Sequence, residues 1–141
     1  MTSVSSVALT ILSLLSIAAL ICGGETLPSA CPDSKLDAKV RRRITEEVHK
    51  RMRDGQYDCE LEKLALKYFD NKGHRNTLFH GRNITKRSFR RDLKSYNRAL
   101  WFFQDAAGEW WKEFPEWYHR DNYGCYFVKR DTVIKVVCLF A

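Results

Sequence analysis

The sequence predicts an α+β domain: about three helices packed on a C-terminal antiparallel β-hairpin and stapled by disulfides. Three observations predict it. Apolar residues recur at three- and four-residue spacing in three stretches between Leu36 and Phe114. The helical period is lost in "YGCYFVKRDTVIKVVCLFA", residues 123–141, where a charged turn divides two runs dominated by Val and aromatic residues. Four cysteines remain once an apolar leader is set aside, an even number in a chain of ordinary single-domain size.

That leader is residues 1–24, "MTSVSSVALTILSLLSIAALICGG", which hold no charged side chain and end on small residues. This is the pattern of a secretory signal peptide cut near Gly24. A retained membrane anchor is the alternative, because the run is just long enough to cross a bilayer. No basic stop-transfer cluster flanks it, which favours cleavage and no stable membrane insertion afterwards. The domain then occupies residues 25–141 and is expected to be extracellular. Cleavage removes Cys22 and leaves Cys31, Cys59, Cys125 and Cys138. In an oxidising compartment these read as two disulfides with three possible connectivities. No pair has the two-residue spacing of a zinc knuckle. No cofactor is expected.

"PDSKLDAKVRRRITEEVHKRMRDG" predicts a first helix. Asp33 or Ser34 is placed to cap its start, and Gly55 to end it. Leu36, Val40, Ile44, Val48 and Met52 form its apolar stripe. "DCELEKLALKYFDNKG" predicts a second helix, capped by Asp58 and ended by Gly73, with Leu61, Leu64, Ala65, Tyr68 and Phe69 buried. Residues 74–85 carry no strong period and are expected to be loop. From Thr85 to Phe114 the spacing is helical again, with a break near Tyr96 or Gly108. Phe89, Leu93, Tyr96, Leu100, Phe103, Ala107, Trp110, Trp111 and Phe114 are its candidate core, and Pro115 ends it.

The hairpin follows if Asp131-Thr132 form a two-residue turn. Arg130 then faces Val133, Val128 faces Lys135, and Cys125 lies opposite Cys138, within disulfide reach. That register pairs Cys125 with Cys138 and leaves Cys31–Cys59 by elimination.

Several motifs resemble one family. "YDCELEKLA", residues 57–65, looks like the helix-start motif of the CAP-superfamily activation-associated secreted proteins of hookworms and their relatives. "GEWWKEF", residues 108–114, resembles the family's Trp-Trp-x-Glu helix, and residues 123–140 resemble its closing hairpin. Arg42, His49 and Arg53 resemble the spacing of its histidine-bearing first helix. "HGRNI", residues 80–84, aligns with a Gly-Glu-Asn-Ile/Leu motif, with Arg82 in the glutamate's place. The chain is short for this family. The stretches usual between the histidine helix and Tyr-Asp-Cys, and between the tryptophan helix and the hairpin, are nearly absent. It therefore resembles the activation-associated secreted protein-related group, and a trimmed CAP-like α-β-α arrangement is implied.

The resemblance implies a cleft that in some members holds a divalent cation with two histidines and two glutamates. Here only His49 has a counterpart. A guanidinium stays protonated and is no metal ligand, so His49 and Arg82 are expected to mark a vestigial, metal-free cleft. His74 and His80 are expected to be solvated loop residues rather than ligands, and His119 a connector residue. The loop "LFHGRNITK", residues 78–86, instead offers a glycosylation acceptor at Asn83. No nucleophile elbow, phosphate loop or His-Glu-x-x-His motif is present, so no enzyme activity is expected.

The formal charge of +7 lies wholly beyond the leader. It favours anionic partners such as sulfated glycan or acidic lipid; the signal peptide argues against nucleic acid. On a helix, Arg87, Arg91, Lys94 and Arg98 would share one basic side. The resemblance implies a secreted, non-enzymatic effector binding a host protein or receptor. The alternative is a binder of anionic glycan or phospholipid through that basic side. A metal-dependent hydrolase is the remote third reading.

Overall fold

The structure, a computed structural model, describes residues 31–32, 34–71, 78–79, 81–95, 99–113 and 119–141. The leader, Asp33, Gly73, His74, His80, Tyr96, Arg98 and Phe114 lie outside the described residues.

Helix α1 spans Ala38–His49. Its cap is Asp37 rather than Asp33 or Ser34, with the carboxylate accepting from the N–H groups of Lys39 and Val40 at 2.8 and 3.2 Å. Ser34 has a different duty, in a buried network described below. The helix also ends at His49, well before Gly55. Turns then lead into a two-residue strand, β1 (Gln56–Tyr57), which the sequence reading had not anticipated. Helix α2 spans Cys59–Asp70 and is capped by Asp58 as expected, with Oδ1 accepting from Glu60 and Leu61. The Asp58 N–H donates to the Tyr123 carbonyl at 2.7 Å, which fastens the helix start to the sheet.

Strand β2 is Thr85–Asp92, followed by a 3-10 turn at Leu93–Ser95. Helix α3 is Ala99–Glu113, and the hairpin is β3 (Asn122–Arg130) and β4 (Val133–Phe140). The sheet order is β1-β3-β4-β2, with β1 parallel to β3 and the other pairs antiparallel. The hairpin register is the expected one: Arg130 opposite Val133, Val128 opposite Lys135, Cys125 opposite Cys138.

The layers are α-β-α. Along β4, Ile134, Val136, Cys138 and Phe140 join the core shared with α1 and α3, while Val137 and Leu139 join the core under α2. A strand buried on both faces reads as a nearly unbroken apolar run, which is what "VIKVVCLF" is. The disulfides are Cys31–Cys59 and Cys125–Cys138, with Cα atoms 5.4 and 4.1 Å apart. Sequence separations of 28 and 13 correspond to about 3.6 and about 3 kcal/mol of restricted unfolded-chain entropy.

Residues 85–92 form a strand and not the start of the expected helix. A spacing of four residues is shared by the two periods, because four is both a multiple of two and close to one helical turn. Phe89 and Leu93, or Arg87 and Arg91, therefore satisfy either reading. Pairing with β4, from Thr85 opposite Phe140 to Asp92 opposite Val133, decides for the strand. Among the described side chains of α3, Phe102, Phe103, Ala106, Ala107 and Trp110 are buried, whereas Trp111, expected in the core, is 38% exposed. Among the described residues, no helix is long and apolar enough to cross a membrane.

Candidate functional site

His49 ends α1 against the sheet. Its ring meets the edge of Tyr123 in β3, with centroids 5.7 Å apart, and Nε2 lies 2.9 Å from the Gly55 carbonyl. A carbonyl only accepts, so Nε2 carries the proton. The imidazole thereby holds the turn that follows α1.

Arg82 lies on the loop that enters β2. Gly81 takes φ +75°, the left-handed conformation that glycine reaches without strain. The Arg82 N–H donates to the Phe79 carbonyl at 3.1 Å, and its side chain is exposed. Asn83 is also exposed, as a glycan acceptor must be. Arg120 steadies this corner, donating to the Asn83 carbonyl and the Thr85 hydroxyl, each at 3.2 Å.

The sheet register relates the two positions. Thr85 lies opposite Phe140, and Phe140 lies opposite Tyr123. The Arg82 loop and His49 are thus at the same end of the sheet, but β4 separates their strands by two spacings, ~10 Å. The described contacts of His49 run to Gly55 and Tyr123.

The proposed basic side does not survive as a helical face. Arg87 and Arg91 lie on strand β2, Lys94 is exposed in the 3-10 turn, and Arg98 is outside the described residues. Arg91 pairs with Glu109 of α3 at 2.7 Å and lies over the Phe89 ring at 4.1 Å. Arg87 and Arg91 also donate to the carbonyls of Lys86 and Arg90, at 3.3 and 2.9 Å. Charged side chains folded over an edge strand blunt it against pairing with another chain. His119 is exposed, in the connector before β3.

A cluster the sequence reading missed joins every layer. Arg41 of α1 and Glu62 of α2, 5% and 2% exposed, pair at 2.7 Å. Tyr57 of β1 donates its hydroxyl to Glu62 at 2.6 Å and lies 3.1 Å from the Cys125 carbonyl of β3. Ser34, on the arm beside Cys31, contacts both Glu62 and the Arg41 guanidinium. The hydrogen bond that Arg41 donates to Glu62 raises the Arg41 pKa against the opposing effect of burial. A signal was present: Arg41 is in register with Ile44 and Val48, and Glu62 with Ala65 and Phe69, so each charge lies on a buried helical stripe.

Burial, with Glu62 adding to it, pushes the Tyr57 hydroxyl far above its ordinary pKa. Burial likewise raises that of Tyr123, with the Thr45 hydroxyl opposing. The folded state therefore holds protons that the unfolded chain releases near pH 10. Stability is full below that pH and is lost as pH rises above it. Tyr57→Phe is expected to lower the urea midpoint at neutral pH, yet to flatten its decline above about pH 10. Parallel midpoint-against-pH curves for the two proteins would refute the assignment.

Residues 29–140 match the family profile described as Ancylostoma-associated secreted protein related. The chain belongs to that family. Solved structures share the fold of this chain. NaASP2 with zinc is 16% identical, with 79% of this chain and 84% of that one covered at a TM-score of 0.55. The Ancylostoma-secreted protein Ac-ASP-7 is 16% identical, with 75% and 70% covered at 0.57. Hookworm platelet inhibitor is 20% identical, with 79% and 74% covered at 0.51. No curated protein sequence matches the chain. At such identities the likeness establishes the fold alone.

The NaASP2 structure contains zinc, and a further Ac-ASP-7 structure contains manganese. The described residues of this chain do not fit such a site. Nε2 of His49 faces a carbonyl as a donor, Arg82 stands where the resemblance places a glutamate, and no group of three or more His, Cys, Asp or Glu converges among the described residues.

Proposed function

We propose that the protein is a secreted, non-enzymatic effector that binds a host protein or receptor. One observation carries the reading: at the positions that the resemblance relates to a cation cleft, His49 anchors a backbone turn and Arg82 presents a guanidinium. Membership of a secreted-protein family and two disulfides support an extracellular location. One structural neighbour is named a platelet inhibitor, and a role against a host component is carried over from it as part of this reading.

The test is affinity capture from host serum, mucosal and cell-surface extracts with the glycosylated, disulfide-bonded protein. One or a few host proteins should be retained by the native fold and not by the reduced, unfolded chain. Equal retention by both would sink the reading. Calorimetric titration with zinc should show no stoichiometric site, in the native protein or in Arg82→Glu. A tight site involving His49 would revive the metal-dependent hydrolase.

The second reading is binding of sulfated glycan or acidic phospholipid, favoured by Lys86, Arg87, Arg90 and Arg91 crowding one edge strand. Its mark would be affinity that falls steeply with added salt.

A further inference from the structure

Helix α2 covers only one end of its sheet face. Its first turn lies against Gly124, and Phe69, near its last turn, meets the ring of Tyr126 at 5.9 Å. The hairpin runs on past that contact to its tip at Asp131-Thr132. Among the described residues, the strip beyond is an open groove of about 410 Å³. Phe69, Val128 and Val133 give it apolar surface, and Arg90, Arg130 and Lys135 give it three cations. Asp131 is the one carboxylate among its described lining residues.

The register brings these cations together. Arg90 lies directly opposite Lys135, which lies opposite Val128 on its other side. Like charges directly opposed across strands repel and destabilise the pair. Two rings moderate the repulsion: the Lys135 ammonium lies 5.5 Å from the centre of Tyr68 and 5.3 Å from that of Phe69. Lys86, two residue pairs along the same face, lies 4.6 Å from the Tyr68 centre and donates to its hydroxyl at 2.9 Å. An anion placed between Arg90 and Lys135 would be attracted from both sides.

We propose that this groove docks an acidic segment of a partner protein that carries an apolar side chain among its carboxylates. The inference rests on the reading of the protein as a binder of a host protein. Guanidinium groups at Arg90 and Arg130 match carboxylates through paired donors. Phe69, Val128 and Val133 offer contact to an apolar side chain, which a polysulfated sugar does not supply. Asp131 repels a uniformly charged polyanion but accepts from a peptide N–H.

The test uses the full disulfide-bonded protein and fluorescence anisotropy at low salt. The probe is a labelled peptide alternating Glu with Leu and Phe. Its counterparts carry Lys for Glu, or Ser for Leu and Phe, and a heparin-derived oligosaccharide is the competing chemistry. The acidic apolar peptide should bind, the Ser form at least about fivefold more weakly, and the Lys form not at all. Arg90→Glu with Arg130→Glu should weaken binding about tenfold or more, because it reverses two exposed charges of the groove. Arg42→Glu with Arg43→Glu, on exposed α1 positions, changes net charge equally and should leave affinity within about twofold. Equal losses in the two double variants would overturn the site. Binding of the oligosaccharide without the peptide would overturn the proposal in favour of a sulfated glycan. In the free protein, Arg90→Thr should raise the thermal midpoint by ~1–5 °C as the opposed charges are relieved; an unchanged or lower midpoint would count against the repulsion. The two readings also fail separately. A host protein captured equally by native protein and by Arg90→Glu/Arg130→Glu overturns the groove and leaves the effector reading. Peptide binding without any captured host protein overturns the effector reading and retains the groove.

Discussion

Glu62→Ala is expected to destabilise the fold by about 3–5 kcal/mol, the usual cost of removing one partner from a buried ion pair. The substitution leaves the Arg41 guanidinium, 5% exposed, without its carboxylate. Tyr57 can still donate to the Cys125 carbonyl, and Arg41 to Leu36 at 3.3 Å, but neither acceptor is charged. For a domain whose total stability is of order 5–15 kcal/mol, that is a large fraction. Urea unfolding with the disulfides intact measures it. Arg41→Met combined with Glu62→Leu should recover most of the loss, because apolar replacement of both members removes the stranded charge. A single-variant cost below about 1 kcal/mol would mean that water reaches the pair and that it does not join the layers.

Gly124→Ala is the second large effect. A Cβ there would lie 2.5 Å from the Asp58 carbonyl oxygen and 2.6 Å from the Leu61 carbonyl carbon. These are backbone atoms of the first turn of α2, which has no freedom to retreat. Cys59 is bonded to Cys31, and the Asp58 N–H is bonded to Tyr123. The strand or the helix must shift as a unit, at a cost of about 3 kcal/mol or more. Gly81→Ala is the contrasting variant. Nothing lies within 4 Å of its Cβ position, and its φ of +75° alone is unfavourable, so about 1–2 kcal/mol is expected. Thermal or urea unfolding of both variants separates close approach from backbone strain. Equal costs would show that Gly124 has room not evident in the structure.

Local patterns carried much of the fold. Asp58, the glutamates after it and the apolar stripe of α2 lie within a few turns of chain, so propensity and capping specify them without outside help. Helix α1 was legible as an element, but its ends were not. Asp37 and Ser34 are both capable caps, and the choice depends on Glu62 and Arg41 drawing Ser34 into the buried network. His49 was visible as a candidate; its engagement by Gly55 was not, because that contact depends on the path of the turn after the helix.

The sequence by itself determined the closing hairpin and, with it, both disulfide pairings. The turn at Asp131-Thr132 joins neighbouring segments, so one assumption about two residues sets every facing pair up to Cys125 and Cys138. The family motifs are similarly short and contiguous, and the family membership they implied is the one found. Only the tertiary structure decided that residues 85–92 are a strand, that Arg41 and Glu62 meet, and that Arg90 stands opposite Lys135. Each depends on segments far apart in the chain, and the local period of β2 was compatible with helix and strand alike. Pairing with β4 selected the strand, and the alternation of a strand placed its charges on the two faces of the sheet.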